Sequence, residues 1–343
     1  MAITALQRAL AAACLCALGA AALPAAAQPK PLTLRYTTGA PAKTPWVMQL
    51  ERFAKDVEEE SKGSIKIDQF IAAQLGNEQD TAQQVARGRI DMGGFSSGAV
   101  ALLVPELGLF ALPFYFQSPA EQDCTLDTAL VTKFVQDSLA KKGIQFLGWT
   151  EVGTVDIMGK RPFTSPKEVN GIKSASAAHK VSSMMWQALG ANPTFVGITE
   201  ITSAFQTGLV EATATVITFY LPSGLNKVAT VATRLAVSDS PGIIMMNKRA
   251  YDAMPKEQQA ALMRAVERRP ANQLRQEIRG FEEVLYGMHV KGGGQMIKPT
   301  AEQREEWRKS LSKEWPNMVK ALGGESETLF SRMEAGRKSC EKK

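Results

Sequence analysis

Alternation of hydrophobic and polar residues predicts strands in several separate parts of the chain. Residues 32–36 and 64–70 alternate as half-buried strands do, and residues 144–149 repeat the pattern later. A mostly apolar run at 240–247 predicts a further strand.

Helices are predicted between these strands. Apolar side chains share one face over residues 46–60, and a second helix over residues 78–87 ends at Gly88 before the next strand begins. Because strands and helices alternate, we predict an α/β fold with a mainly parallel sheet that helices cover on both faces.

A weak internal repeat suggests that this plan occurs twice. Residues 84–92 and 204–212 both show a helix end, a glycine, an aliphatic strand start and an acidic residue. A helix end followed by a strand is common, so chance is the alternative. If the repeat is real, two similar α/β lobes face each other across a cleft.

A long helical region is predicted over residues 256–289. It should kink or restart at Pro270, which lacks an amide donor and clashes with the preceding turn. At about 1.5 Å per residue the region would be roughly 50 Å long, enough to brace both lobes.

Length, composition and charge exclude several classes of protein. The 343 residues favour two domains, and 45% hydrophobic with 22% charged residues is ordinary for a globular chain. The net charge of +6 is spread out, which argues against nucleic-acid binding. With only His179 and His289 available, we expect neither a metal site nor a cofactor.

The first 27 residues have the features of a signal peptide. Arg8 precedes an uncharged stretch at 10–23, and Ala25-Ala26-Ala27 offers a small-x-small cleavage site. The alternative is an N-terminal membrane anchor, but the stretch is shorter than the roughly 20 apolar residues that a span needs. We therefore expect an exported, periplasmic protein.

Two cysteines, Cys124 and Cys340, remain after cleavage of the signal peptide. In an oxidising compartment they could form a disulfide that ties the C-terminal tail to the body of the protein. The alternative is two unpaired thiols.

One sequence matches a hydrolase motif. Gly94-Phe95-Ser96-Ser97-Gly98 has the G-x-S-x-G pattern of a nucleophile elbow and follows a predicted strand. No histidine is an evident partner for Ser96. Small residues at a strand end also make a loop that contacts a ligand through amides and hydroxyls, and we favour this reading over an exported serine hydrolase.

Several aromatic residues fall at or just after predicted strand ends, where open α/β sheets bind ligands. They are Trp46, Phe95, Trp149, Phe219 and Tyr220. Core packing is the alternative for about half of them. Trp149, beside Glu151, is the best candidate for a ring that faces the cleft.

Taken in order from residue 32 to 310, a set of motifs resembles the DctP-type periplasmic solute-binding proteins of TRAP transporters. The motifs include Leu75-Gly76-Asn77-Glu78, Gly88-Arg89-Ile90-Asp91-Met92, Val104-Pro105-Glu106-Leu107-Gly108, Leu189-Gly190-Ala191-Asn192-Pro193 and Phe205-Gln206-Thr207-Gly208-Leu209-Val210-Glu211. The resemblance implies a two-lobed, Venus-flytrap binding protein without enzymatic activity. It also implies a long helix that braces both lobes.

The expected organisation follows from that resemblance. Lobe 1 comprises residues 28–152 with about 239–270, lobe 2 comprises 153–238 with about 271–310, and 311–343 form a C-terminal helical tail. Hinge strands near 149–153 and 236–240 would bend as the cleft closes. The partners would be a small-molecule solute and the TRAP membrane permease subunits. We expect a monomer, with a dimer as the alternative.

The resemblance breaks down at the positions that usually bind a ligand carboxylate. Family members commonly carry arginines where this chain has Val155 and Ala175, and the usual acidic and amide residues are replaced by Ala214 and Thr215. An arginine–carboxylate pair is bidentate and charge-assisted, so simple dicarboxylates are doubtful ligands. We therefore predict a neutral, amine-bearing or aromatic solute.

The alternative is an organic acid bound through Lys173, Lys180 or backbone amides, and a membrane-bound sensor with the same fold is a third possibility. Acidic residues near the predicted cleft, Glu78, Glu151 and Asp156, favour a neutral or cationic ligand. The candidate ligand-binding residues are Trp46, Glu78, Phe95, Ser96, Ser97, Trp149, Glu151, Val155, Ala175, Ser176, Thr215 and Phe219.

Overall fold

The computed structural model describes residues 31–341, so the predicted signal peptide at 1–27 lies outside the described residues. The strands of this part of the chain form one sheet. They are β1 (Leu32–Thr37), β2 (Ile65–Phe70), β3 (Met92–Ser96), β4 (Ile144–Gly159), β5 (Lys173–Ser176), β6 (Asn192–Phe195), β7 (Ala212–Val216), β8 (Val231–Asn247) and β9 (Gln295–Ile297).

The sheet has the same pattern read from either end. Its order is β2-β1-β3-β8-β4-β7-β5-β6, with β9 on β8. At each end two parallel pairings join three short strands, β1 to β2 and β3, and β5 to β6 and β7. Each group then meets one long strand antiparallel, β3 on β8 and β7 on β4. The sheet is therefore mixed, whereas the sequence predicted a mainly parallel one, because the two long strands run against the short ones.

The long strands β4 and β8 connect the two ends. They pair antiparallel from Ile144↔Asn247 to Gly159↔Val231. The register shifts between Glu151 and Gly153 and again between Val155 and Ile157. Such irregularities leave residues unpaired and bend the ladder. They occur where the sequence predicted a hinge, but the lobe boundaries at 152/153 and 238/239 stay a prediction.

The helices cover the sheet. They are α1 (Pro45–Glu60), α2 (Glu78–Ala86), α3 (Ser97–Val100), α4 (Pro119–Leu126), α5 (Ala129–Lys141), α6 (Lys180–Ala188), α7 (Ile201–Gln206), α8 (Ile217–Tyr220), α9 (Lys248–Ala253), α10 (Lys256–Glu267), α11 (Ala271–Lys291), α12 (Ala301–Ser312), α13 (Trp315–Leu322) and α14 (Ser326–Cys340). Short 3₁₀ turns occupy Pro105–Ala111, Pro166–Val169 and Leu225–Lys227.

The internal repeat is visible in the backbone. Gly88 follows α2 with φ +76°, and Gly208 follows α7 with φ +72°, so both glycines take the left-handed conformation that ends a helix. Each is followed by a strand and a short helix, β3 with α3 and β7 with α8. The two segments therefore share a local plan at opposite ends of the sheet.

The predicted long helix is two helices. Glu267 ends α10 and Ala271 begins α11, with Pro270 in extended conformation between them. Pro270 thus restarts the helix, as its missing amide requires. The second helix, α11, packs against β4, against α1 beside one end of the sheet and against α8 beside the other.

The C-terminal segment packs as part of the body rather than as a separate tail. Met318, Leu322 and Met333 belong to the largest core cluster. A disulfide joins Cys124 on α4 to Cys340 at the end of α14, with the Cα atoms 6.0 Å apart. Within residues 31–341, no helix combines the length and the apolar character that a membrane span requires.

Candidate functional site

A cleft of about 210 Å³ lies over the centre of the sheet, where the two ends meet. Its walls come from the carboxyl end of β3, from β5 and β7, and from the mid-strand parts of β4 and β8. The register shifts of the long strands fall beside this space, where Val152 and Val155 of β4 belong to its lining. Open α/β sheets bind ligands at such positions.

The wall on the β3 side is built around Glu78. This residue begins α2, and its carboxylate accepts a hydrogen bond from the Ser96 hydroxyl at 2.9 Å and another from the Ser96 amide. Burial raises the pKa of Glu78 above its usual range, while the two hydrogen bonds from Ser96 oppose that rise. Ser96 also caps α3 by accepting from the Ala99 amide at 3.1 Å, and Ser97 lies beside it in the lining.

The opposite wall contains small and apolar residues. Ala175 and Ser176 come from β5, Thr215 from β7 and Phe219 from α8, and Val155 of β4 completes the floor. All five were candidates from the sequence, and the structure brings them to one cleft. The family resemblance had indicated Val155, Ala175 and Thr215, whereas Phe219 was a candidate because it falls just after a predicted strand.

His179 lines the same cleft and was missed as a candidate. It is the N-cap of α6, and its Nδ1 accepts a hydrogen bond from the Ser182 amide at 3.3 Å. This contact assigns the proton of the neutral ring to Nε2, which lies close to Gly98 on the other wall. Burial lowers the pKa of His179 to about 4, so the ring is neutral near pH 7.

Gln79 was also missed. Its side-chain oxygen Oε1 is buried in the lining and has no hydrogen-bond partner within the described part of the chain. A buried acceptor without a partner costs about 1 to 3 kcal/mol, so it is a position where a ligand donor would be stabilising. The only sequence signal was its place next to Glu78, at the first turn of a helix that follows a strand.

The described residues that line the cleft include no lysine and no arginine. Lys180 instead donates to the Ala321 carbonyl at 2.9 Å, and Lys173 is exposed outside the lining. Their placement therefore does not support the alternative in which one of these lysines replaces the missing arginine.

Four sequence candidates do not line the cleft: Phe95, Trp149, Glu151 and Trp46. Phe95 is fully buried in the core, since neighbouring strand residues point to opposite faces and Ser96 takes the cleft side. Trp149 packs edge-on against Phe110 and Phe146 and donates to the Thr132 hydroxyl.

Glu151 is 1% exposed and is held by the Arg279 guanidinium, with Nε 2.9 Å from Oε1. Its charge is therefore paired within the protein rather than offered to a ligand. Trp46 lies at one side of the cleft, where a further cavity of about 70 Å³ is lined also by Glu78 and Phe219. Asp156 is buried as well, and it accepts hydrogen bonds from the Ala236 amide and the Tyr286 hydroxyl.

The hydrolase alternative requires a base beside Ser96. In the structure the Ser96 hydroxyl donates to Glu78, and no hydrogen bond joins it to either histidine of the described chain. His179 Nδ1 is used by the Ser182 amide, and His289 contacts the Gln295 carbonyl. The serine–histidine geometry of an elbow nucleophile is therefore missing around Ser96.

Beneath the cleft, α11 contacts the irregular centre of β4. The Glu282 carboxylate accepts from the Thr154 amide at 2.7 Å, and the Thr154 hydroxyl donates to Asp239 at 2.7 Å. Burial raises the pKa of Glu282 to about 8, and the nearby carboxylates of Glu151 and Asp156 add to that rise. Glu282 of α11 thus contacts β4 where the pairing of β4 with β8 is irregular.

A mixed sheet of two equivalent ends, long connecting strands and a cleft between them define a bilobal α/β binding protein. Residues 36–321 match the family model described as bacterial extracellular solute-binding protein, family 7, also called DctP. The chain therefore belongs to this family, whose resemblance the sequence motifs had indicated.

Relatives agree with this assignment. A solute-binding protein from Chromohalobacter salexigens is 26% identical over 219 residues, which is 64% of this chain and 65% of that protein. The chain thus spans just under two thirds of the length of this relative.

Two solved structures share the fold. A sugar acid binding protein from Advenella mimigardefordensis, in complex with galactonate, has a TM-score of 0.84 and 23% identity to this chain. The superposition covers 90% of this chain and 99% of that protein. A TRAP periplasmic solute-binding protein from Sulfurospirillum deleyianum with bound succinate gives 0.82 at 24% identity and covers 89% and 98%.

Proposed function

We propose that this chain is the periplasmic solute-binding component of a TRAP transporter and that its solute is a small neutral or amine-bearing molecule. The observation that carries the ligand class is the charge of the cleft. Its described lining has the acid Glu78 and the unpartnered acceptor Gln79 Oε1, but no arginine or lysine. Such a lining favours hydrogen-bond donors on the ligand.

The energetic argument rests on desolvation. A carboxylate that enters a closing cleft loses its hydration, and it needs a cationic or multiple N–H partner to compensate. Residues at the expected arginine positions, Val155 and Ala175, cannot supply that partner, and Glu78 would repel a ligand carboxylate. A ligand amine or hydroxyl would instead donate to Glu78 and Gln79.

The remaining lining suggests the rest of the solute. Phe219, Val155 and Met185 offer apolar surface, while Ser176 and Thr215 offer hydroxyls that can donate or accept. This combination suits a compact solute with one apolar face and a polar edge.

We infer that closure bends the long strands near residues 149–153 and 236–240. Support comes from the register shifts there and from the left-handed φ of Ala236 at +48°, which few non-glycine residues adopt. On this proposal the two lobes have the boundaries given by the sequence, and the closed form docks on the permease.

The test is to identify what the protein carries. Native mass spectrometry of protein purified without denaturation should release a neutral or amine-bearing solute. Calorimetry with that solute on Glu78→Gln should then show weaker binding, most strongly for an amine, while Glu200→Gln outside the cleft is the control. Release of a carboxylic acid would overturn the ligand class.

An organic acid is the second candidate, and a specific observation favours it. The N-terminal end of α6 faces the cleft through Ala178, His179 and Val181, and helix N-termini attract anions. The two solved relatives described above were obtained with galactonate and succinate. Tight binding of either acid to the unmutated protein in calorimetry would favour this candidate over the first.

Delivery to a permease is tested separately from ligand class. The protein, with and without its solute, should be captured by the TRAP permease subunits in detergent, and more strongly with solute. Failure of capture in both states would count against the transporter role and would leave the ligand result intact.

A further inference from the structure

A second cavity lies under α1. Its volume is about 300 Å³, and it is bordered by α1, by the break between α10 and α11, and by the first half of β4. Ile244 of β8 and Leu274 of α11 close the inner side. Ligand pockets in proteins start at about this size.

The second cavity is separate from the cleft. None of the residues that line it lines the cleft of about 210 Å³. Trp46 borders both this cavity and the small extension beside Glu78, so its indole is the wall between them. A molecule bound in the cavity would therefore contact different residues from a molecule bound in the cleft.

Aromatic rings form part of the walls. Tyr36, Trp46, Phe53 and Trp149 surround the cavity, and Leu50 adds aliphatic surface. Apolar walls of this kind bind apolar molecules, because removing them from water is favourable and an empty apolar cavity loses dispersion contacts.

Apart from the exposed Glu267, the polar groups around the cavity fall into two sets. Gln49 is fully engaged, since its Nε2 donates to the Leu274 carbonyl at 2.9 Å and its Oε1 accepts from the Thr150 hydroxyl at 3.1 Å. Arg269 at the mouth is paired with Asp56 at 2.8 Å. These groups shape the cavity but have little left to offer a ligand.

The second set is two donors without partners. The Tyr36 hydroxyl and Trp46 Nε1 form no hydrogen bond with any residue in 31–341, although both side chains are more than nine-tenths buried. They lie together over Gly94, where an added Cβ would meet both polar atoms within 3.2 Å. One O–H and one N–H at the same place match the two lone pairs of a single carbonyl oxygen.

We propose that this cavity is a second ligand site, which binds a small neutral molecule with an apolar or aromatic body and one carbonyl oxygen. The ring would lie among Phe53, Trp149 and Leu50, and the oxygen would accept from Tyr36 and Trp46. A carboxylate does not fit, since no unpaired cation faces the cavity from the described chain.

Methyl NMR can test this site directly. In protein labelled at isoleucine methyl groups, Ile244 reports on the cavity, whereas Ile198 and Ile201 report on the cleft. Titration with acetophenone should shift Ile244 and leave the other two unchanged. In Ala271→Leu, whose side chain extends into the cavity from a half-buried position, the shift of Ile244 should be lost.

The carbonyl is tested with a matched pair of probes. Tyr36→Phe should weaken acetophenone about threefold to tenfold, the range of one hydrogen bond, and leave the isostere isopropylbenzene within about twofold. This pair decides the question even if Ala271→Leu fails to fold. Three results would overturn the proposal: an unmoved Ile244 in the wild type, equal shifts at Ile198, or equal effects of Tyr36→Phe on both probes.

Discussion

Replacing the buried carboxyl of Glu282 with an amide should give a variant that is more stable than the wild type, by a margin that grows as pH rises. Glu282 is 5% exposed and lies on α11 beneath the cleft. Glu282→Gln keeps the shape and retains an oxygen that accepts the Thr154 amide, while it removes a charge that the protein must otherwise bury. The variant therefore mimics the protonated form of the wild type.

The size and sign of the effect follow from the pKa. Burial raises the pKa of Glu282 to about 8 from its usual 4.5. Between these values the folded protein holds a proton that the unfolded chain has lost, so stability falls as pH rises from about 4.5 to 8. At about 1.4 kcal/mol per pH unit the total is on the order of a few kcal/mol. Above pH 8 both states are ionised, and the loss is complete.

Thermal melts at pH 5 and pH 8 provide the assay. We expect Glu282→Gln to match the wild type at pH 5 and to melt roughly 5 °C higher at pH 8, taking about 2 °C per kcal/mol. Burial also raises the pKa of Glu151 and of Asp156, so the wild type should lose stability over the same range for several reasons, and only the difference from the variant isolates Glu282.

The neighbouring Glu283 supplies the control. It is exposed and paired with Arg234, and this pairing lowers its pKa. Glu283→Gln should therefore lose a little stability, and equally at pH 5 and pH 8, because both lie above that pKa. A Glu282→Gln melting difference that stays constant between the two pH values would refute the reasoning. So would a wild type that is the more stable protein at pH 8.

Three further predictions concern the cleft, the hinge and the tail. Ala175→Arg should create or improve succinate binding by roughly 2 to 5 kcal/mol in calorimetry, and no gain would show that the lobes do not present this position to the ligand. Gly153→Ala should lower the free energy of unfolding by about 2 kcal/mol, which thermal melts would show, since Gly153 has φ +138° and an added Cβ would lie 2.6 Å from a carboxylate oxygen of α11. Gly280→Ala, on the open face of the same helix, should raise stability by about 0.5 to 1 kcal/mol, and equal signs for the two variants would contradict the strain argument. Cys340→Ser should cost up to about 5 kcal/mol, because the bond to Cys124 closes a loop of 216 residues, and unchanged melting with or without reductant would contradict it.

Much of the fold could be predicted because its elements are local. The helix predicted over 46–60 is observed at Pro45–Glu60, and the strand over 64–70 at Ile65–Phe70. Periodicity reports which face of an element is buried, and that suffices for elements of this length. Gly88 and Gly208 gave a further signal for the ends of two helices, because glycine adopts the left-handed conformation of a helix C-cap without steric cost.

The long strands could not be recognised from local pattern. The sequence predicted separate strands at 144–149 and 240–247, but these are halves of β4 (Ile144–Gly159) and β8 (Val231–Asn247). Alternation is lost at their centres, where register shifts and α11 replace the usual neighbours. This error also explains Trp149. Its position was taken as a strand end facing a ligand, whereas it is the middle of a strand that packs into the core.

The cleft shows the same division between local and tertiary information. Ser96 follows from the rule that ligands bind at strand ends, whereas Thr215 was indicated by comparison with the motifs of the family. The fates of Glu151 and Asp156 depend on Arg279 and Tyr286, more than a hundred residues away, so no pattern in the chain could tell that these acids are used inside the protein.

The electrostatics of the cleft therefore reduce to few groups. With Glu151 and Asp156 engaged by α11, the acid that remains in the lining is Glu78, opposed by the N-terminal end of α6 and the neutral His179. A helix N-terminus is equivalent to about half a positive charge, and burial already favours the protonated form of Glu78. Because the described lining holds no full positive charge, closing the cleft costs least around a solute that carries no net negative charge and donates hydrogen bonds to Glu78 and Gln79. The same lack of a full positive charge explains why restoring one arginine at Ala175 should be enough to change the class of solute.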